Sequence, residues 1–322
     1  MMMLTTNRLS QDQIAQLRNR FGEQLRQDVS LANYTAARVG GKADFVLTVQ
    51  SAEDLESAVR DLWALEVPFT ILGSGANVLV SDRGVRGVVI LNRAQRFEIQ
   101  AEQEPPTVWA ESGANLGLIA RTLARHGLSG LEWAATIPGT LGGAIYGNAG
   151  AHGQDVAGTL ILAEILHRER GKETWTCERL AYGYRTSALK REPGKAVILS
   201  GLLKLSRSTR EAVQAQMDAF IAYRKRTQPP GASMGSVFKN PPGDYAGRLI
   251  EQAGLKGTRV GGVEVSPVHA NFFVTNENAT ASDYWHLICV VRQRVYETFG
   301  VALELEIERI GDWLDEDTNA QG

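Results

Sequence analysis

Apolar residues return at three- and four-residue steps in several stretches of this chain, and each such stretch predicts a helix with one buried face. Ile14, Leu17, Phe21 and Leu25 mark an otherwise polar helix over residues 11–27. Leu55, Ala58, Val59, Leu62 and Leu65 line a second, started by Ser51 with Asp54 three residues on, a variant of the capping box, and ended by Pro68. Residues 116–126 predict a third helix, stopped by Gly127, and residues 210–226 a fourth, broken by Pro229-Pro230-Gly231. A short helix over 246–253 and a long one over 282–299 complete the set. Short apolar runs predict strands at 43–50, 68–72, 78–80, 85–91, 107–111, 159–167, 173–177, 196–205, 262–265, 271–275 and 302–310. Their order is not a regular strand–helix–strand alternation, so the expected class is α+β. The proline–glycine break predicts a boundary between residues 1–228 and 229–312, and residues 313–322 are expected to form a disordered tail.

Composition narrows the classes. The 322 residues are 43% hydrophobic and 22% charged with a net charge of −2, enough apolar material for two or three domains and without the basic excess of a nucleic-acid footprint. Cys177 and Cys289 lie far apart and lack metal-ligand spacing, which argues against a disulfide framework or a metal site and fits a reducing compartment. No basic segment followed by an apolar one opens the chain, and no apolar run approaches ~18 residues. A cytoplasmic protein without signal peptide or transmembrane helix is therefore expected.

Two glycine-rich segments carry the first chemical signal. Residues 137–153, IPGTLGGAIYGNAGAHG, hold six glycines and no charged residue. A flexible linker would be serine-rich and polar, whereas Leu141, Ile145 and Tyr146 are interleaved here. The expectation is a packed glycine loop whose backbone approaches another backbone or a large flat ligand with phosphates. Gly73-Ser74-Gly75-Ala76-Asn77 follows a strand, and its successive N–H groups can cradle a phosphate, although a plain strand-to-strand turn reads the same. Strand-like residues follow it instead of a helix, which disfavours a nicotinamide dinucleotide fold.

Three further segments offer reactive groups. Arg185, among Tyr184, Thr186 and Ser187, presents a planar fork for a carboxylate, or else stacks on a tyrosine at the surface. In SMGSVFKNPP, residues 233–242, a serine hydroxyl can protonate a carbanion only if nearby cations or N–H groups stabilise the alkoxide; Lys239 is one source, and an ordinary turn is the other reading. Glu304, Glu306 and Glu308 alternate with apolar residues and so share one strand face, with a solvated edge as the alternative. Lys256 and His269 are isolated signals with surface roles as the default.

Taken together and in order, NYTAARVGG (33–41), LGSGANVLVSD (72–82), the 137–153 segment, YGYRTS (182–187), GSVFKNPPGDYAGRLIEQAGLKG (235–257) and LELEIERIG (303–311) resemble the UDP-N-acetylenolpyruvoylglucosamine reductase (MurB) family. Lys190-Arg191-Glu192-Pro193 follow YRTSAL closely, so the chain is similar to the shorter type II form. The resemblance implies an FAD-binding region of the vanillyl-alcohol-oxidase/PCMH type, made of two α+β subdomains at about 30–95 and 96–207, and a C-terminal α+β substrate-binding domain. It implies NADPH-dependent reduction of UDP-N-acetylglucosamine enolpyruvate to UDP-N-acetylmuramate through non-covalent FAD, in peptidoglycan precursor synthesis. Arg185 would bind the substrate carboxylate and stabilise the enolate-like charge, Ser236 would donate the proton, and Glu306 would be the third catalytic residue, with Glu304 and Glu308 as register alternatives.

The same resemblance assigns FAD to Tyr34, Thr35, Arg38, Gly40, Gly73, Ser74, Gly75, Ala76, Asn77, Pro138, Gly139, Gly142, Gly143, Tyr146, Gly147, Asn148, Ala149 and Gly150. Substrate falls to Tyr184, Arg185, Lys239, Asn240, Lys256 and His269. Arg224, Lys225, Arg226, Lys239 and Lys256 are candidates for the diphosphate, Lys225 more naturally as solvated charge. The GSGAN turn holds no histidine, so covalent flavin attachment there is excluded. Met234 stands where smaller residues are commoner, a side chain long enough to reshape the mouth of the site. No metal, nucleic acid or membrane partner is expected. The alternatives are another FAD-dependent oxidoreductase of the same fold acting on a sugar or alcohol, and a non-catalytic flavin-binding protein. GSVFKNP and YRTS argue against the first, and intact Arg185, Ser236 and Glu306 against the second.

Overall fold

The computed structural model describes residues 8–313. Ser51 accepts the Asp54 N–H at 3.0 Å and Asp54 accepts the Gln50 N–H at 3.2 Å, so helix Ala52–Ala64 starts where the capping pattern places it. Its Leu55, Ala58, Val59 and Leu62 pack on a sheet of strand order Leu25–Ser30, Lys42–Val49, Val85–Asn92, Phe69–Leu72 among the described residues. Only the first pair is antiparallel. Alternation sends Phe45, Leu47, Val88 and Ile90 to the helix side and Val46, Val89 and Leu91 to a second core on the other face.

The expected helix over 11–27 is shorter, Gln11–Phe21. Gly22 takes φ 53°, which ends the helix, and the chain returns as the edge strand Leu25–Ser30. Leu25, at helical spacing from Phe21, is thus a strand residue.

The second subdomain is an antiparallel sheet of order Gly171–Thr176, Leu160–His167, Ala196–Lys204, Thr107–Glu111, Phe97–Gln100. Helices Leu116–Arg125 and Arg210–Thr227 bury their apolar faces in its core. Gly201 leaves room for the glycine-rich segment: a Cβ there would lie 2.8 Å from Ile145 Cδ1. This lets the glycine-rich segment lie flat on the central strand.

Beyond Thr227, the short strands Arg259–Val260, Val263–Val265 and Phe273–Thr275 form an antiparallel sheet covered by helix Ala281–Phe299. Thr280 and Asp283 form a capping box at that helix, and the Asp82 carboxylate accepts the Ala281 and Ser282 N–H groups at 2.9 and 2.8 Å. The C-terminal core also includes Ala37, Val39 and Leu79, so the break at Pro229–Pro230 divides the chain without dividing this core. The expected strand over 302–310 narrows to Glu308–Ile310, parallel to Val78–Val80. The stretch before it divides its bonds between two partners: Glu306 N–H goes to Val237 O at 2.8 Å and Glu308 N–H to Asn77 O at 2.9 Å. Trp313, first residue of the expected tail, instead donates Nε1 to Ile310 O at 3.0 Å and packs beside Arg309 and Trp285; residues 314–322 lie outside the described residues. Among the described residues no helix is long and apolar enough to cross a membrane.

Candidate active site

Three backbone segments converge. Ala36 N–H donates to Gly75 O at 3.0 Å, and Gly75, at φ 64°, leaves no room for a Cβ, which would overlap the Tyr34 carbonyl oxygen. A Cβ on Gly73 would fall 2.6 Å from Thr140 Oγ1. Glycine at these two positions is demanded by the closeness of the loops. Tyr34 and Thr35 sit within this junction: Thr35 Oγ1 donates to Val39 O at 2.9 Å, while the Tyr34 hydroxyl accepts from Arg26 at 3.4 Å. Arg38 is exposed and Gly40 abuts Val80.

Residues 137–153 differ from the expected loop, because Leu141–Gly147 is a short helix. Thr140 Oγ1 accepts the Gly143 N–H at 3.4 Å at its start, and Asn148 ends it in the left-handed conformation. Leu141, Ala144 and Ile145 are buried at helical spacing, and this burial outweighs a glycine cost of ~1 kcal/mol per residue. Gly142 is pressed on Ser112, to whose carbonyl it donates at 2.7 Å. Gly139 and Gly147 are different: a Cβ there would meet nothing within 4 Å, and one on Gly143 only Thr140 Oγ1 at 3.6 Å. The packing of the chain does not require glycine at these three positions. The space beside them stands open, so a flat group such as a flavin ring can approach the backbone there.

Asn148 and Asn77, both expected at the cofactor, turn their side chains to protein. Asn148 donates to Asp155 at 3.0 Å and to Gly183 O at 3.3 Å and accepts from Ala157 N–H at 3.0 Å. Asn77 Nδ2 donates to Glu306 O at 3.0 Å, which bonds the Gly73–Asn77 turn to the final strand segment.

Arg185 meets the same segment through the Glu306 side chain. Its Nε donates to Glu306 Oε1 at 2.6 Å, Nη2 to Gly150 O at 2.9 Å and Nη1 to Asn148 O at 3.5 Å, and Tyr184 packs near its guanidinium. A guanidinium has five N–H donors, so three engaged here leave the others for a carboxylate. Arg185 holds φ 56°, a strained conformation for a side chain of this kind, fixed by the reciprocal Gly183–Thr186 backbone bonds at 3.1 and 3.3 Å. Burial raises the proton affinity of Glu306, and Arg185, Lys190 and Lys239 act against it.

The alternating glutamates are each partnered: Glu304 with Lys239 at 3.1 Å, Glu306 with Arg185, and Glu308 with Lys190. Ser236 is half-buried and one residue from Val237, whose carbonyl receives the Glu306 N–H. The buried Asn271 fixes this neighbourhood, donating to Phe238 O at 2.8 Å and accepting Phe238 N–H at 2.9 Å. The structure therefore joins Arg185 to Glu306 directly and sets Ser236 on the adjoining extended segment.

The other expected substrate residues sit further out. Asn240 Oδ1 accepts the Ala246 N–H at 3.1 Å and so starts helix Ala246–Gln252. Lys256 pairs with Glu251 at 2.7 Å. His269 packs on Phe272, its Nδ1 accepts the Asn271 N–H at 3.2 Å, and burial, followed by Lys256, lowers its imidazole. His269 thus reaches the Ser236 segment through Asn271. Met234 is buried in the C-terminal core, where its apolar length is accommodated by packing. At the end of helix Arg210–Thr227, Lys225 and Arg226 are exposed, Arg226 lies over Tyr223, and burial lowers Arg224. Among the described residues no cluster of His, Cys, Asp and Glu could hold a metal ion.

Thr140, Asn271 and Lys190 escape the sequence reading. Thr140 three positions before Gly143 carried a capping signal hidden by the glycines. Asn271 carried none, because its partner Phe238 is 33 residues away.

Residues 43–166 match the family described as FAD binding domain, and residues 227–310 match the family described as UDP-N-acetylenolpyruvoylglucosamine reductase, C-terminal domain. The chain is 44% identical over 291 residues to the UDP-N-acetylenolpyruvoylglucosamine reductase of Chloroflexus aggregans, covering 89% of this chain and 97% of that one. It is 40% identical over 283 residues to the protein of that name from Bacillus subtilis, covering 87% and 92%. Among solved structures it is similar to the UDP-N-acetylenolpyruvylglucosamine reductase (MurB) of Thermus caldophilus, with a TM-score of 0.76 and 37% identity over 89% of this chain and 99% of that one.

Proposed function

The chain belongs to the UDP-N-acetylenolpyruvoylglucosamine reductase family, and from that premise we propose that it reduces UDP-N-acetylglucosamine enolpyruvate to UDP-N-acetylmuramate, using NADPH and non-covalent FAD. The observation that carries this reading is the Arg185–Glu306 contact at 2.6 Å beside a glycine face that the protein's own packing does not require. The segments around Tyr34–Gly40, Gly73–Asn77 and Pro138–Gly150 would hold FAD. When bound there, FAD supplies the relay of hydride from NADPH to the enolpyruvyl group.

The chain's residues supply placement and charge. The unengaged donors of Arg185 bind the substrate carboxylate. As negative charge grows on the adjacent carbon and spreads into that carboxylate, the attraction of the guanidinium grows with it, which makes the contact selective for the transition state. Glu306 holds the Nε side of Arg185 and keeps the remaining donors facing the cleft. Ser236 delivers the proton to the carbon beside the carboxylate, and Lys239 is the nearest cation along the chain to stabilise the resulting alkoxide. Arg224 and Arg226, at the end of helix Arg210–Thr227, are the residues for the diphosphate. A nucleotide substrate and NADPH place the reaction in the cytoplasm.

The test is an anaerobic titration of the yellow protein. NADPH should bleach the flavin band, and UDP-N-acetylglucosamine enolpyruvate should restore it without oxygen. Bleaching without restoration would mean a different electron acceptor, and a colourless protein that cannot be reconstituted with FAD would overturn the reading. Ser236→Ala should leave bleaching by NADPH unchanged and slow restoration about 100-fold or more. An equal loss in both steps would remove Ser236 as proton donor.

A further inference from the structure

Outside the residues given a role above, Lys190 stands at a convergence of three elements. It lies on the short helix Ala188–Arg191, whose cap Ser187 is fully buried. Ser187 Oγ accepts the Lys190 N–H at 3.2 Å and donates to Tyr146 O at 2.6 Å, which ties this helix to the glycine-rich one. The Lys190 ammonium pairs with Glu308, two residues beyond Glu306 on the same segment, and its side chain is only 19% exposed. Arg185 and Lys190, five residues apart, therefore each pair with one of two alternate glutamates, while Asn77 bonds the backbone of both.

We infer that Lys190 is a positioning residue for the Arg185–Glu306 pair: its ammonium, tied to Glu308 two residues on, holds the Glu306 carboxylate seated on the Arg185 guanidinium. This deepens the reductase reading and rests on it for the consequence in turnover. The charged groups that face Glu306 are Arg185 from the YRTS turn, Lys190 from the helix after it and Lys239 from the GSVFKNP segment, all of which favour its ionised form against burial. On its own segment Glu304 and Glu308 are each taken up by a lysine. The Gly73–Asn77 turn offers neutral Asn77, and the Tyr146 phenol of the glycine-rich helix, pushed up to about 12 by burial and then by Glu308, stays neutral. A tethered cation beside a half-buried carboxylate acts through fixed distance, so both the charge and the tether matter.

The experiment titrates the Glu306 carboxyl by ¹³C NMR in the full-length FAD-loaded protein, with Glu306→Gln identifying the signal. Lys190→Met should move that titration to higher pH by about one unit, and the acid limb of flavin reoxidation by substrate should move with it. Reduction of the flavin by NADPH should be unchanged. Lys190→Gln, which retains hydrogen bonding to Glu308 without charge, should behave like Lys190→Met, and Lys190→Arg should restore the wild-type titration. A Glu306 titration unmoved in Lys190→Gln, or moved equally in Lys190→Arg, would overturn the inference. The NMR titration decides this even if the wild-type flavin fails to reoxidise, an outcome that would count against the reductase reading instead.

Discussion

Around the glycine-rich helix, shape comes from missing side chains; along Glu304–Glu308, every second side chain is charged and partnered. The two regions touch at Asn77, yet they tolerate change differently. The cradle is steric. Its tolerances are set by the Tyr34 backbone at Gly75 and the Thr140 side chain at Gly73, and neither pH nor salt acts on them directly. The seam is electrostatic and graded. Its outer pair, Lys239 with a Glu304 side chain 76% exposed, is worth at most about 1 kcal/mol, whereas the Arg185–Glu306 pair is sheltered and matters more. A binding surface for a fixed cofactor can be rigid, but a site that must meet a developing charge needs groups whose charge can be tuned.

The largest effect is expected where steric demand is absolute. Gly75→Ala must displace the Tyr34 carbonyl or leave φ 64°, and should cost more than about 2 kcal/mol and abolish FAD retention, as melting and absorbance at the flavin band would show. Wild-type flavin content in that variant would break the picture of a rigid cradle. Next comes Arg185→Lys, which loses the planar fork. Reoxidation by substrate should fall about 100-fold with FAD content unchanged, whereas lost FAD would mean that the seam also holds the cofactor. Gly147→Ala sharpens the contrast within the cradle. Nothing lies within 4 Å of its Cβ, so the apoprotein should melt no lower than wild type, while FAD binding, followed by flavin fluorescence, should weaken about 10-fold. Unchanged FAD affinity would show that the bare face does not meet the cofactor. The smallest effect falls outside both regions. Asp82→Ala removes the bonds to the start of helix Ala281–Phe299 and should cost about 1 kcal/mol in denaturant melts, leaving flavin reduction by NADPH intact.

What the sequence made legible was mostly local. Helix Ala52–Ala64 carries its own cap and its own buried stripe, so its position followed from thirteen residues. The final glutamates showed their common face, but not their partners, since Arg185 and Glu306 are 121 positions apart and nothing in either neighbourhood encodes the other. The glycine-rich segment misled by composition, because low helix propensity was overridden by the burial of Leu141, Ala144 and Ile145 on a sheet that the segment itself does not contain. Residues 11–27 misled by periodicity, since Leu25 keeps helical spacing across a glycine that turns the chain. Arg185, Ser236 and Glu306 were nameable only because several motifs in order resembled a family. The spacing of any one of them would not have distinguished a catalytic group from a surface one.

The pairing of Glu308–Ile310 with Val78–Val80 also has a meaning in time. A ribosome makes the three loops of the cradle well before the segment that carries Glu306, whose carbonyl Asn77 holds. A nascent or prematurely terminated chain can thus fold much of its cofactor-binding half while lacking the group that orients Arg185. The Arg185–Glu306 pair can form only when that segment has threaded back beside a strand made some 230 residues earlier, as the Asn77–Glu306 bond spans 229 positions. The Arg185–Glu306 contact is therefore among the last of the site's contacts that synthesis makes available.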